Sequence, residues 1–207
     1  FITMDNGINH MRTDVRKIRP AELAFDIDGV IADTFRAFVR EARESYGLDI
    51  EYEAITEYDF TKVIDMDQET SDAIIERILE DPIGIGIGPI RGASDVLRRL
   101  SRFGPLCLVT ARTNREAIME WIQQTLRIHD GNPIRLEATG THENKLPVLL
   151  KHGIRYFVED RLETCYLMQQ SPVTPIVFDQ PWNRQAHPFL CVGSWDDIRD
   201  MVEWEAT

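Results

Sequence analysis

Short apolar runs and amphipathic stretches alternate along most of the chain. Leu23-Ala24-Phe25 runs into Asp26, and Gly29 follows three residues on, the pattern of a short buried strand, expected over about 21–26, breaking into a turn. From Thr34 the period becomes helical. Phe35, Phe38, Val39, Ala42 and Tyr46 share one face, Arg36, Arg40, Arg43 and Glu44 the other, and Gly47 is placed to end the helix. After a polar stretch dotted with Tyr52, Tyr58 and Phe60, a second helix carries Ile74, Ile75, Ile78 and Leu79 and stops at Asp81-Pro82. The run from Ile83 to Pro89 reads as a flexible hinge. No Lys-Ser or Lys-Thr pair follows its glycines, so a nucleotide-binding loop is not indicated.

Beyond the hinge the alternation is regular. A helical stripe at Ala93, Val96, Leu97, Leu100 and Phe103 precedes a strand over 105–110, a helix over about 114–128 and a strand over 134–138. A helix over 145–152 ends at Gly153, a strand spans 154–158, and Leu162, Cys165, Tyr166 and Met168 mark another helix. A strand over 175–179 and a closing helix with Trp195, Ile198, Met201 and Val202 complete the series. This rhythm predicts an α/β protein with a parallel sheet of about five strands and helices on both faces. Residues 1–20 are expected to be a poorly ordered lead-in ending near Pro20.

Composition narrows the function classes. At 207 residues the chain fits one domain with room for a smaller inserted subdomain, and its net charge of -12 argues against a nucleic-acid polymer or an anionic membrane as partner. A small phosphorylated ligand stays compatible with that charge, because a metal and a few local cations can outweigh a distant acidic surface. Cys107, Cys165 and Cys191 form neither a disulfide framework nor a zinc pattern, and neither a membrane-length apolar segment nor a secretory signal is visible. A cytoplasmic location is therefore expected.

The candidate chemistry lies at the strand ends. Asp26 and Asp28 point to the same side of an extended chain, where two carboxylates repel unless they share a proton or a cation. An Asp-rich turn looks the same, and the pair alone does not separate the two readings. Three further strand ends carry polar groups: Thr110 with Ala111 and Arg112, the segment before Lys145, and Glu159 with Asp160. Each has a plain reading as a helix cap, a solvated lysine or a turn. Their recurrence in order at one sheet edge, where parallel sheets bind ligands, favours a joint role. Cys107 lies within a strand with four residues between it and Arg112, where a cysteine-phosphatase loop needs five between; His187 has no metal-ligand partner, and His142 reads as a loop histidine that could touch substrate.

Together, Asp26-x-Asp28-Gly29-Val30, Val109-Thr110-Ala111-Arg112, Lys145 and Val158-Glu159-Asp160 resemble the signature of the haloacid dehalogenase superfamily, in its metal-dependent phosphatase branch. Pro89-Ile90-Arg91-Gly92-Ala93, Phe178 to Arg184 and Trp195-Asp196-Asp197-Ile198 are similar to the 5'(3')-deoxyribonucleotidase group and related bacterial nucleotidases. The resemblance implies a Rossmann-like core over 21–32 and 91–207 and a helical cap over 33–90. It implies Asp26 as nucleophile, Asp28 as general acid and base, and Thr110, the Ala111 amide and Lys145 as phosphate-binding groups. Mg2+ would be held by Asp26, the Asp28 carbonyl and Asp160, with Glu159, Asp33, Arg112 and Phe35 supporting the site or meeting substrate. The expected activity is phosphomonoester hydrolysis through an aspartyl-phosphate, with a nucleoside monophosphate as substrate. A sugar phosphate or another small metabolite is the alternative, and a non-catalytic binding protein on the same fold the third reading. One departure falls where mammalian members carry a base-stacking aromatic: this chain has Thr34, with Phe35 next.

Overall fold

The structure, a computed structural model, describes residues 17–128 and 132–204. Six strands form one parallel sheet in the order β3-β2-β1-β4-β5-β6: β1 Leu23–Phe25, β2 Leu106–Thr110, β3 Ile134–Ala138, β4 Tyr156–Glu159, β5 Thr174–Phe178 and β6 Leu190–Val192. The fold is thus the expected α/β, Rossmann-like one, with one strand more than the pattern predicted. The added strand, β6, is three residues long at the sheet edge, and Leu190 and Cys191 are exposed, so it carries no alternation to read.

Strand alternation buries both faces of the sheet. Leu23, Phe25, Leu106, Leu108, Val158 and Ile176 enter the larger core, while Ala24, Cys107, Val109 and Phe157 enter a second core on the opposite face. Helices α3 (Ala93–Leu100), α4 (Arg115–Leu126), α5 (Lys145–Lys151), α6 (Leu162–Met168) and α7 (Trp195–Met201) lie between or after the strands. Among the described residues, no helix is long and apolar enough to cross a membrane.

Between β1 and α3 the regular elements are all helical, joined by loops. Helix α1 (Thr34–Tyr46) buries Phe35, Phe38, Val39 and Ala42, and ends at Gly47, whose φ of 68° allows its N–H to reach the carbonyls of Ala42 and Arg43. Two 3₁₀ turns, Tyr52–Ala54 and Phe60–Lys62, lead to α2 (Gln68–Glu80), whose N-terminus is capped by the Asp67 side chain accepting from the Thr70 N–H. The return segment is more firmly held than a flexible hinge. Ile85 and Ile87 are buried, Arg40 donates to the carbonyls of Ile85 and Gly86, and Trp121 Nε1 donates to the Ile87 carbonyl at 2.8 Å.

The expected lead-in is corrected at its end, and its residues 1–16 lie outside the described residues. Ile18 is buried, bridges to Val202, and exchanges backbone hydrogen bonds with Met201 and Glu203, so the chain is docked from there on. Residues 20–22 form a 3₁₀ turn ahead of β1, with Pro20 starting it.

Candidate active site

The strand order reverses beside β1. From it the chain goes outward to β2 and β3, then crosses back to β4 on its other side and continues to β5 and β6. Carboxyl ends of strands at such a switch point leave a crevice for ligands. Phe25 pairs in register with Val158, which brings Asp26 level with Glu159 and Asp160.

One carboxylate oxygen from each of Asp26, Glu159 and Asp160 lies within 4.8 Å of the others, and all three residues are buried. Lys145 Nζ, with no exposure, sits 2.9 Å from Asp26 Oδ2 and 2.8 Å from Glu159 Oε2. Burial and the Glu159 charge push the Asp26 carboxyl well above the usual range, with Lys145 opposing, and the same two causes raise Asp160. For Glu159 burial acts upward, but Lys145 outweighs it and holds the group low. For Lys145 burial acts downward, and Asp26 and Glu159 more than reverse it.

The three acids differ in what remains unsatisfied. Glu159 Oε1 accepts the N–H groups of Asp160 and Arg161, and its Oε2 accepts Lys145. Asp26 Oδ1 and Asp160 Oδ1 are buried without a hydrogen-bond partner. Three carboxylates facing one ammonium, with two orphaned oxygens, suit a divalent cation with oxygen ligands. Asp26 and Asp160 are the residues free to hold it, and Glu159 supports Lys145.

Asp28 lies beyond the strand, in the turn made by Gly29, whose φ is 72°. Its carboxylate is gripped at both oxygens by Arg112, with Nε to Oδ2 at 3.0 Å and Nη2 to Oδ1 at 2.7 Å, and Thr34 Oγ1 donates to Oδ1 at 2.6 Å. Burial alone would raise this group, but Arg112 and Thr34 hold it below the usual carboxylate range. Arg112 is itself buried and donates to the Ile78 carbonyl of α2 at 2.9 Å. Thr110 is fully buried at the end of β2, where its hydroxyl accepts the Arg112 N–H at 3.1 Å.

Above these groups lies a cavity of about 410 Å³. Asp26, Asp28, Ala111, Arg112 and Lys145 form its floor; Phe35, Phe38, Tyr58, Phe60, Ile75, Ile78 and Leu79 form most of the opposite wall. Asp33 is elsewhere. It pairs with Arg36 at 3.5 Å and lines a separate, polar crevice, so the structure does not bring it to this cavity.

A family profile, described as 5' nucleotidase, deoxy (pyrimidine), cytosolic type C protein, matches residues 19–206. The chain belongs to this family. It is a hydrolase of the haloacid dehalogenase-like superfamily, in the nucleotidase and phosphatase group that acts on small phosphorylated substrates. A Bacillus subtilis relative named "Putative nucleotidase YqfW" is 27% identical over 198 residues, covering 88% of this chain and 92% of that protein. In fold, a Geobacter sulfurreducens haloacid dehalogenase superfamily hydrolase matches with a TM-score of 0.55 at 17% identity, covering 87% of this chain and 95% of that one. The haloacid dehalogenase-like protein SP0104 of Streptococcus pneumoniae matches with a TM-score of 0.52 at 12% identity, covering 85% and 95%.

Several residues of this hydrolase's site carried no readable signal of their own. Ile75, Ile78 and Leu79 read as a helix's packing stripe, yet all three line the cavity. His142 differs from these: the sequence offered it as a loop histidine that could touch substrate, and it lines the cavity with Nδ1 buried and unpartnered and its ring edge-on to Tyr58 at 5.7 Å. Trp182 and Asn183, in the 3₁₀ turn Pro181–Asn183, both donate to Asp160 from more than twenty residues away. Only the Phe178–Arg184 resemblance pointed toward that turn.

Proposed function

We propose that this hydrolase is a magnesium-dependent phosphomonoesterase working through an aspartyl-phosphate on Asp26, with nucleoside monophosphates as substrates and a cytoplasmic place of action. Residues 33–90 act as the cap over a core of 21–32 and 91–207. The observation that carries the reading is the pair of orphaned oxygens, one on Asp26, which lines the cavity beside Lys145, and one on Asp160 in the same acidic cluster.

Asp26 attacks phosphorus, forming a carboxylate-oxygen-to-phosphorus bond as the ester P–O bond breaks. Asp28 gives a proton to the departing oxygen, then takes one from the water that attacks the aspartyl-phosphate, releasing inorganic phosphate and restoring Asp26. The ion-paired carboxylate of the present structure is the form suited to the base role. The acid role requires Asp28 to gain a proton and turn from Arg112 toward the cavity. Thr110, the Ala111 amide and Lys145 meet the phosphoryl oxygens, whose charge spreads in the transition state. Asp26, the Asp28 carbonyl and Asp160 would hold Mg2+, which would supply the charge neutralisation that an anionic phosphate needs to approach an anionic nucleophile.

The substrate assignment rests on two supports: the family and relative both carry nucleotidase descriptions, and the cavity wall is aromatic and aliphatic, suited to a flat base. A panel of nucleoside monophosphates and sugar phosphates at equal concentration, with Mg2+, tests it. Higher kcat/KM for nucleotides is expected; equal or higher values for sugar phosphates would overturn the substrate assignment, and no turnover of any ester would overturn the phosphatase reading.

A further inference from the structure

Trp182 touches both the acidic cluster and the cap, although it belongs to neither. It is 3% exposed, and its indole Nε1 donates to Asp160 Oδ2 at 3.1 Å. A buried indole N–H needs an acceptor, and this one takes a carboxylate oxygen in a cluster already short of cations. The bond fixes which oxygen of Asp160 is occupied, leaving Oδ1 as the orphan. Asn183 Nδ2 holds the Asp160 carbonyl at 2.8 Å, so side chain and backbone of the same residue are clamped from one turn. Gly29 closes the other side: a Cβ there would lie 2.1 Å from Asp160 Oδ2 and 3.2 Å from the Trp182 ring.

The same turn reaches the cap. The Trp182 ring stacks on Phe35 of α1 at a centroid distance of 3.9 Å and 27° between planes, and Tyr52 meets it edge-on at 6.0 Å. Gln180, at the start of the turn, accepts the Tyr52 hydroxyl at 2.7 Å and donates to the Gly29 carbonyl at 2.7 Å. Tyr52 and Phe35 lie on opposite sides of the α1 helix's far end in sequence, yet both are held by residues 180–182.

We infer that Trp182 is a positioning residue that couples the Mg2+ affinity of the acidic cluster to the seating of the cap. Holding Asp160 with Oδ1 free lowers the cost of ordering a ligand for the cation, and Phe35 stacking holds the indole where it can do so. Coupling of this kind is reciprocal, so cation binding in turn steadies the cap through the same ring. The inference rests on the metal reading of the proposed function.

The test is Mg2+ binding by calorimetry on the whole chain, without substrate, for the native protein, Trp182→Phe and Phe35→Leu. Trp182→Phe keeps a ring against Phe35 but loses the N–H; a dissociation constant raised by about tenfold or more is expected. Phe35→Leu leaves the N–H in place and removes the stack; a rise of roughly threefold is expected. Mg2+ should change the tryptophan emission of the native protein, and that change should disappear in Trp182→Phe. Thermal unfolding without metal identifies a variant that fails to fold, and in that case Trp182→His, which restores a ring N–H, serves as the second variant: weaker Mg2+ binding than the native protein but by less than about tenfold is expected, and a loss of about tenfold or more despite the N–H overturns the coupling. Native affinity in Trp182→Phe, or in Phe35→Leu, overturns the coupling while leaving the phosphatase reading intact. A native protein that binds no Mg2+ overturns both.

Discussion

The floor and the roof of the cavity are built on opposite principles. On the floor, buried charges hold one another: Lys145 spans Asp26 and Glu159, and Arg112 grips Asp28. On the roof, Phe35, Phe38, Phe60, Ile75, Ile78 and Leu79 offer carbon surface, with Tyr58 the polar exception. A fixed electrostatic floor can serve any phosphate monoester, because the phosphoryl group is the same in all of them. An apolar roof distinguishes leaving groups by shape and burial, and each methylene there changes selectivity only modestly. The proposed function thus assigns reaction type to the floor and substrate choice to the roof.

The largest expected effect breaks the floor. Lys145→Met leaves two buried carboxylates without their shared cation, and a loss of about 3–5 kcal/mol in urea unfolding without metal is expected. Mg2+ should recover part of it, since the cation answers the same charge. A loss no greater than that of an exposed lysine variant would contradict the ion-pair account.

Arg112→Met separates the two regions, because Arg112 touches both Asp28 and the Ile78 carbonyl of α2. Turnover of alkyl phosphates, whose leaving oxygen needs a proton, should fall about 100-fold, while p-nitrophenyl phosphate should fall far less. Equal losses on both esters would mean that Arg112 does not position the acid. On the roof, Phe60→Leu should raise KM for nucleotides severalfold with little change in kcat, the mark of binding shared by ground and transition states. A fall in kcat alone would place Phe60 in the chemistry.

The smallest effect concerns His142. Burial, followed by the charges of Lys145 and Arg161, lowers its pKa from the usual 6.5 to about 4. The unfolded chain therefore binds more protons between these values, so the contribution of neutral His142 is complete above pH 6.5 and is lost as pH falls toward 4. Urea midpoints of native protein and His142→Gln at pH 7 and pH 5 should show the larger fall in the native protein; parallel falls would contradict the burial account.

The floor was more legible in sequence than the roof, for a physical reason. Strand ends announce themselves where an apolar run stops at Asp26, Thr110 or Glu159, and parallel topology then brings those ends to one edge. The sixth strand was not legible, being short and exposed, and Ile18 docks against the C-terminal segment through contacts nearly the whole chain apart. Ile75 and Leu79 have the same spacing whether a helix faces a core or a cavity. The Trp182 contact with Asp160 depends on the path of the loop after β5, which no local pattern specifies. Asp33 shows the converse case: its place beside the motif suggested a site role, and the chain turns it toward Arg36 and a separate polar crevice.

Chemical trapping at Asp26 tests the central claim most directly. Quenching steady-state turnover with borohydride converts an aspartyl-phosphate to homoserine, which peptide mass spectrometry locates by residue. Homoserine is expected at position 26 only, dependent on substrate and on Mg2+, and absent in Asp26→Asn. Turnover with no modified residue, or modification at Asp28 or Asp160 in place of Asp26, would contradict the claim.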